Sequence, residues 1–260
     1  MANNQKKTQQ SGSSMTPIII ALIALLVIVV AVAAALLIPA IRDGVYADEE
    51  TTAGTTTNTP TEGVKVDMAA VKAEINSLKV EDFAASTTAT DYVKISVKDH
   101  GDIVVRLRGD VAPLTVKNFQ SLVGQKFYDG LTFHRIMKGF MIQGGDPKGD
   151  GSGSSTNKIK GEFSQNGVTN NLGHVKGVIS MARGGYSMDS ASCQFFICNA
   201  DTPSVKNLDG SYASFGYVVA GLDVVDAISA AEVTASATGE MSVPAETVTI
   251  ESVTFVQPTK

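Results

Sequence analysis

One stretch of this 260-residue chain sets a guanidinium against an apolar surface: Phe133-His134-Arg135-Ile136-Met137-Lys138-Gly139-Phe140-Met141-Ile142-Gln143-Gly144-Gly145-Asp146. Read as two strands turning at Lys138-Gly139, alternation puts Phe133 and Arg135 on one face, while Phe140, Met141 and Gln143 arrive on the return strand. An arginine in that position has two uses. It sets a cation beside something held by the apolar side chains, or its stem packs on them while its head snorkels to water. Spacing alone leaves both open. Covalent chemistry has no comparable signal: there is no G-x-S-x-G elbow, no H-E-x-x-H, no phosphate loop of the form G-x-x-x-x-G-K-S/T, and no Rossmann glycine pattern between a strand and a helix.

Metal chemistry is equally unsupported. His100, His134 and His174 form no paired-ligand motif. Asp146 and Asp150 miss the EF-hand spacing, so their glycine-rich stretch reads as a solvated loop. No cofactor is expected. Cys193 and Cys198 stand five residues apart in one apolar run, which points them to opposite faces of a strand; both are expected as small buried hydrophobes rather than as a disulfide.

Around that stretch the pattern is β-rich. Val93, Ile95 and Val97 alternate with polar residues, Asp99-His100-Gly101-Asp102 makes a turn, and Ile103, Val105 and Leu107 complete a hairpin. Ala112-Pro113 opens a helix whose apolar face is Val116, Phe119, Leu122 and Val123, and Gly124 ends it. Further strands are predicted near 132–137, 139–144, 177–182, 194–199 and 214–220, a second helix over 223–229, and a last strand over 247–257 with a bulge at Glu251-Ser252. Many short strands, two helices and no βαβ rhythm predict a mainly β fold, a closed antiparallel barrel capped by the helices.

The N-terminal part has a different character. Residues 18–38 are apolar without a charge, long enough to span a bilayer as a helix and longer than the apolar core of a cleavable signal. Thr16 and Pro17 suit its start, and Pro39 its end. Lys6 and Lys7 precede the span, while acids dominate after Arg42, so the positive-inside rule puts the N-terminus in the cytoplasm and the remainder outside. Cleavage after Val45-Tyr46-Ala47, releasing a secreted protein, is the alternative. The expected organisation is a tail over 1–15, an anchor over 16–41, a Thr/Ala-rich linker over 42–89 and a folded domain over 90–260. Within the linker, Val71, Ile75 and Leu78 recur at helical spacing, predicting a short amphipathic spacer helix. A net charge of −5 without clustered Lys or Arg argues against a nucleic-acid partner.

The stretch from Phe133 to Asp146 strongly resembles the cyclophilin family of peptidyl-prolyl isomerases. So do Gly177-Val178-Ile179-Ser180-Met181-Ala182, Ser192-Cys193-Gln194-Phe195-Phe196-Ile197, and Leu208-Asp209-Gly210 followed by Phe215-Gly216, all in family order over roughly 90–258. The resemblance implies an eight-stranded barrel with two capping helices and, as ligand, proline-containing polypeptides. By matching positions it implies Arg135 as the catalytic residue. Phe140, Met141, Phe196 and Leu208 become the walls of a proline pocket, and Gln143, Ala182 and Gln194 hold the substrate backbone. His134, Arg183 and Tyr212 complete the expected substrate-binding set. The side chain of Arg183 is expected to be solvated, and Tyr212 either offers a hydroxyl to substrate or packs beside Phe215. Asn207 stands where many members carry Trp and Tyr212 where many carry His; loss of the indole predicts weak binding of the cyclic immunosuppressant peptide that many cyclophilins bind. The loop 183–191 is two residues longer than the common form, which bears on the residues accepted beside proline. A closed barrel without heptads is expected as a monomer. A non-catalytic proline-peptide chaperone and an envelope scaffold are the competing functions.

Overall fold

The alternating hydrophobics of residues 93–107 do form a hairpin: β2 (Tyr92–Val97) and β3 (Gly101–Leu107) pair antiparallel, with Val93, Ile95 and Val97 buried and their neighbours half-buried. The structure is a computed structural model describing residues 63–259. The predicted anchor at 18–38, the tail before it and the Thr-rich stretch as far as 62 lie outside the described residues. Among the described residues, no helix is long and apolar enough to cross a membrane.

The remaining strands are β1 (Phe83–Ala85), β4 (Phe133–Met137), β5 (Met141–Gly144), β6 (Val178–Met181), β7 (Phe195–Cys198), β8 (Ala213–Ala220), β9 (Val233–Ala235), β10 (Met241–Pro244) and β11 (Ile250–Pro258). Nine of the eleven strands form one antiparallel sheet in the order β1-β11-β2-β3-β8-β6-β7-β5-β4, while β9 and β10 pair separately. This corrects the expected closed eight-stranded barrel. The sheet has nine strands, and its β4 end meets β11 only through an isolated bridge, Thr132 to Thr249, and three flanking backbone bonds: Gly130 to Ile250, Ile250 to Leu131 and Phe133 to Val248. The register of β11 against β2 shifts between Ile250 and Ser252, where the bulge was predicted.

The two expected helices are α2 (Pro113–Gly124) and α4 (Leu222–Ser229), with a single-turn helix, α3 (Pro203–Lys206), between them. Buried Glu162 caps α2 in place of an N-cap side chain, accepting from the Leu114 and Thr115 amides and the Thr115 hydroxyl. A carboxylate at the positive end of a helix satisfies donors that the backbone leaves unpaired. Between sheet and α2 the core is aromatic: Phe119, Tyr128, Phe133, Phe195 and Phe215 meet at centroid distances from 5.1 to 6.0 Å, mostly tilted or edge-on. The Tyr128 hydroxyl donates to Cys193 O at 3.0 Å. Cys193 and Cys198 are free and buried, and burial raises both thiols above their usual range.

Residues 63–89, expected as the end of a linker, are part of the folded unit. The predicted spacer helix is α1 (Met68–Glu74), capped by Asp67, whose carboxylate accepts from the Ala69 and Ala70 amides. It buries Val71 against Tyr217, Val219 and their neighbours on the outer face of the sheet. Asn76 and Leu78 then donate backbone bonds to Val218 and Val219, and β1 extends the sheet beside β11. All eight residues of β8 are buried, with the core on one face and, on the other, α1 near Tyr217 and Val219 and the segment of Asn170 and Leu172 on Ser214.

Candidate active site

The β4–β5 hairpin turns at Gly139, whose φ of +77° is a conformation that L side chains rarely adopt. Its register shifts between Phe133 and Arg135, a bulge at His134. The bulge overturns the face assignment drawn from strict alternation. Phe133 and Ile136 enter the core, whereas Arg135 lies half-buried on the other side with Met137. One extra residue in a strand re-aims every side chain beyond it, and here it turns the arginine outward.

Arg135 heads a continuous polar row. Its Nη1 donates to Gln143 Oε1 at 3.2 Å, Gln143 Nε2 donates to Gln194 Oε1 at 2.9 Å, and Gln194 Nε2 reaches the carbonyls of Gly153 at 2.7 Å and Gly151 at 3.1 Å. Each amide accepts on one side and donates on the other, so a cation at one end and backbone carbonyls at the other fix both orientations. The carbonyls come from a loop organised by Asp146. That residue was expected in solvent, but it is buried and accepts from the Lys148 and Gly151 amides. Gly145 at the start of the loop has φ +81°, and a Cβ there would lie 2.8 Å from Cys193 O.

Beside the row lies an apolar cluster of Met141, Phe196, Cys198, Val205 and Leu208, with Met137, Phe140, Ala182 and Tyr212 packed on it. All the residues that the resemblance assigned to the pocket walls are therefore together. Tyr212 meets Phe196 edge-on, with centroids 5.7 Å apart, and packs on this cluster, whereas Phe215 belongs to the main core. Behind Phe196, the ring of His174 stacks at 6.1 Å; its Nδ1 is 2.9 Å from Asp209 Oδ1 and its Nε2 is 3.0 Å from the buried Ser180 hydroxyl. Partial burial pushes the Asp209 carboxyl up, and hydrogen bonds from His174 and Lys206 outweigh it, holding the group below the usual carboxylate range.

Two expected binding residues behave differently from the reading. The guanidinium of Arg183 is not simply solvated: it lies 5.0 Å over the Tyr212 ring and 5.3 Å over that of Phe163, and Nε donates to Ser211 O at 2.9 Å. It thereby ties the loop 183–191 to the segment carrying Leu208 and Tyr212. His134 stands apart from the cluster. Its ring is buried near Gly151 with neither nitrogen hydrogen-bonded, and burial lowers its pKa. Next to the apolar cluster opens a cleft of about 250 Å³ lined by Gln143, Gly151, Ala182, Arg183, Tyr186 and Gln194, among others. Tyr186 is exposed, and Lys158 Nζ donates to its hydroxyl at 2.8 Å.

Sequence reasoning missed two neighbours of Arg135. Met137 Sδ is 3.0 Å from Nη2, and Glu240 takes both Nε at 2.6 Å and Nη2 at 2.9 Å. Turn residues Thr238-Gly239 between two short alternating runs were a legible hairpin signal. That this hairpin would lie against β4, more than a hundred residues earlier, was not.

The site thus sets a guanidinium beside an apolar cluster on a sheet with two packed helices. The profile of the family described as cyclophilin type peptidyl-prolyl cis-trans isomerase/CLD matches residues 92–255, and the chain belongs to that family. Peptidyl-prolyl cis-trans isomerase A of Dickeya dadantii is 37% identical over 177 residues, which is 67% of this chain and 88% of the relative. A peptidyl-prolyl cis-trans isomerase of Helicobacter pylori is 37% identical over 158 residues, 60% of this chain and 88% of the relative. Among solved structures, a Cryptosporidium parvum cyclophilin type isomerase, crystallised in the presence of the dipeptide Ala-Pro, superposes with a TM-score of 0.55 at 26% identity, over 63% of this chain and 98% of its own. The protein is a peptidyl-prolyl cis-trans isomerase.

Proposed function

We propose that Arg135 accelerates rotation about X-Pro bonds by donating to the prolyl nitrogen of the twisted amide. The planar amide is held by resonance, and its uncatalysed exchange takes roughly 10–100 s. Twisting removes the resonance, pyramidalises the nitrogen and frees a lone pair. A hydrogen bond to that lone pair exists only in the twisted state, and this differential binding is what raises turnover. The observation that carries the reading is the donor inventory of Arg135. Three of its five N–H groups are engaged by Glu240 and Gln143, and its remaining partners are the thioether sulfurs of Met137 and, at 3.9 Å, Met141. Thioethers are weak acceptors that a nitrogen lone pair displaces.

In this reading Phe140, Met141, Phe196 and Leu208 grip the proline ring, while Gln143, Ala182 and Gln194 hold the flanking backbone. The adjoining cleft receives a side chain next to proline. The Ala-Pro in the crystals of the Cryptosporidium parvum relative supports a proline-containing ligand. A chaperone that binds without catalysis is the competing function. Arg135→Ala in the full chain separates the two: turnover of an X-Pro test peptide should fall while its affinity stays within a few-fold, whereas unchanged turnover would remove Arg135 from the mechanism.

The clients we propose are exported polypeptides, with residues 16–41 anchoring a monomer by one helix and the catalytic domain outside the cytoplasmic membrane. The uncharged run 18–38 behind Lys6 and Lys7 supports this placement. Protease added to intact cells should digest the domain in the membrane fraction. A domain that is protected until lysis contradicts the orientation, and a shortened form in the medium points to cleavage near Ala47.

A further inference from the structure

We infer that Glu240 is a positioning residue for catalysis: its carboxylate holds the Arg135 guanidinium in the plane from which it serves the substrate, making the β9–β10 hairpin a working part of the active site. The inference rests on the role proposed above for Arg135. The two carboxylate oxygens take Nε and Nη2, a bidentate pair that fixes the guanidinium in both position and plane. Gln143 takes Nη1 from another direction, so the group is held at both edges.

The backbone that carries Glu240 is itself held. In the turn before β10, Gly239 N donates to Ser236 O at 2.9 Å, Ser236 N to Glu240 O at 2.8 Å and Glu240 N to the Ser236 hydroxyl at 3.2 Å. Gly239 sits at φ +84°, which closes the turn. Beyond it, β10 packs along β4, and Ala245 N donates to Glu232 O to close the base of the hairpin. The paired side chain also stays ionised: hydrogen bonding to Arg135 lowers the Glu240 carboxyl to about 2. An arginine free in solvent populates many rotamers, and one held in advance does not lose that freedom at the transition state. The pair does not block the site, because the N–H groups facing the two thioethers remain for substrate.

The test is steady-state kinetics on the full chain carrying Glu240→Gln, Glu240→Asp, Arg135→Ala and the double variant Arg135→Ala/Glu240→Gln, with peptide affinity by calorimetry and the Arg135 Nε–H signal by NMR. Glu240→Gln is expected to lower kcat by about tenfold and by no more than about 30-fold, the factor for freezing one arginine side chain. KM and peptide affinity should hold within twofold, and the Nε–H signal should broaden or shift to the exposed range. Glu240→Asp, one methylene short, should fall between wild type and Glu240→Gln, and it carries the test if Glu240→Gln does not fold. The double variant should be no slower than Arg135→Ala alone. Unchanged or raised kcat in Glu240→Gln, with Arg135→Ala inactive, would overturn the inference and leave the arginine mechanism standing. Full turnover in Arg135→Ala would sink the mechanism itself, and the inference with it.

Discussion

The molecule contains two Arg–Glu pairs of the same shortest distance and similar exposure but different consequence, one bidentate through Nε and Nη2 and the other a single contact through Nη1. Arg135 meets Glu240 at 2.6 Å with side chains 32% and 35% exposed; Arg106 meets Glu74 at 2.6 Å with side chains 38% and 44% exposed. The second pair is closed by Tyr217, whose hydroxyl donates to Glu74 Oε2 at 2.6 Å, and it joins α1 to the outer face of the sheet. There the cation faces other polar groups. The first pair lies against an apolar cluster and leaves donors facing only sulfur. The ion pair by itself is thus uninformative, and what adjoins the guanidinium decides whether it fastens two elements or serves a ligand.

The comparison breaks most sharply at the arginines. Arg135→Ala should lower kcat/KM by about 10²–10³-fold, the loss seen when one donor to a transition state is removed. Arg106→Ala should leave kcat/KM within twofold in the same peptide assay; a large loss there would mean that the outer face communicates with the site. The next largest effect is at the pocket wall: Phe196→Ala should raise KM by about tenfold or more through lost apolar burial, with an accompanying loss of stability because the ring also packs on His174 and Tyr212.

On the outer face the effects are on folding. Tyr217→Phe should cost about 0.5–1.5 kcal/mol in urea unfolding for one hydrogen bond, and loss of the partly exposed Arg106–Glu74 pair about 0–1 kcal/mol. Turnover should not change in either case. Activity rather than stability responding to Tyr217→Phe would contradict the division.

The smallest effect is in pH. Glu240 is lowered to about 2 by Arg135. Glu74 is also lowered: burial raises it, but the Tyr217 and Arg106 hydrogen bonds prevail. Carboxylates with depressed values contribute fully above their ordinary 4.5 and lose that contribution as pH falls through the folded value, so neither pair should respond between pH 5 and 8. His134 should. Burial lowers its folded value below 6.5, so the unfolded chain takes up a proton first, and stability should decline modestly as pH falls through that range. Unfolding curves at pH 7.5 and 5.5 should differ in the wild type and differ less in His134→Gln.

Much of the domain is legible in the sequence. Helix α2 begins and ends at Pro113 and Gly124 as its termini predict, and the bulge near Glu251-Ser252 follows from broken alternation. The residues assigned to the pocket walls are adjacent: Met141 and Phe196 lie on the neighbouring strands β5 and β7, Phe140 on the turn before β5, and Leu208 just after a short helix. Reading failed where alternation was assumed to hold through β4. A bulge is a property of the pairing with β5, and one strand read alone does not display it. It failed again at 63–89, where the short amphipathic helix behind the Thr-rich stretch was read as a spacer within the linker, although a buried valine, a helix cap and backbone bonds to β8 dock the segment on the sheet.

What the amino-acid order determines by itself is local: which runs are strands or helices, where glycine and proline stop them, and that an arginine, two glutamines and a set of large apolar residues occur at the spacing of one family. Tertiary structure decides partnership. Glu240 and Arg135 are 105 residues apart and Glu74 and Tyr217 are 143 apart, and side-chain type carries no record of which distant group it will meet. Those meetings follow from strand order and from the faces left open, and both are settled only when the sheet and its packed segments bury their apolar surface together.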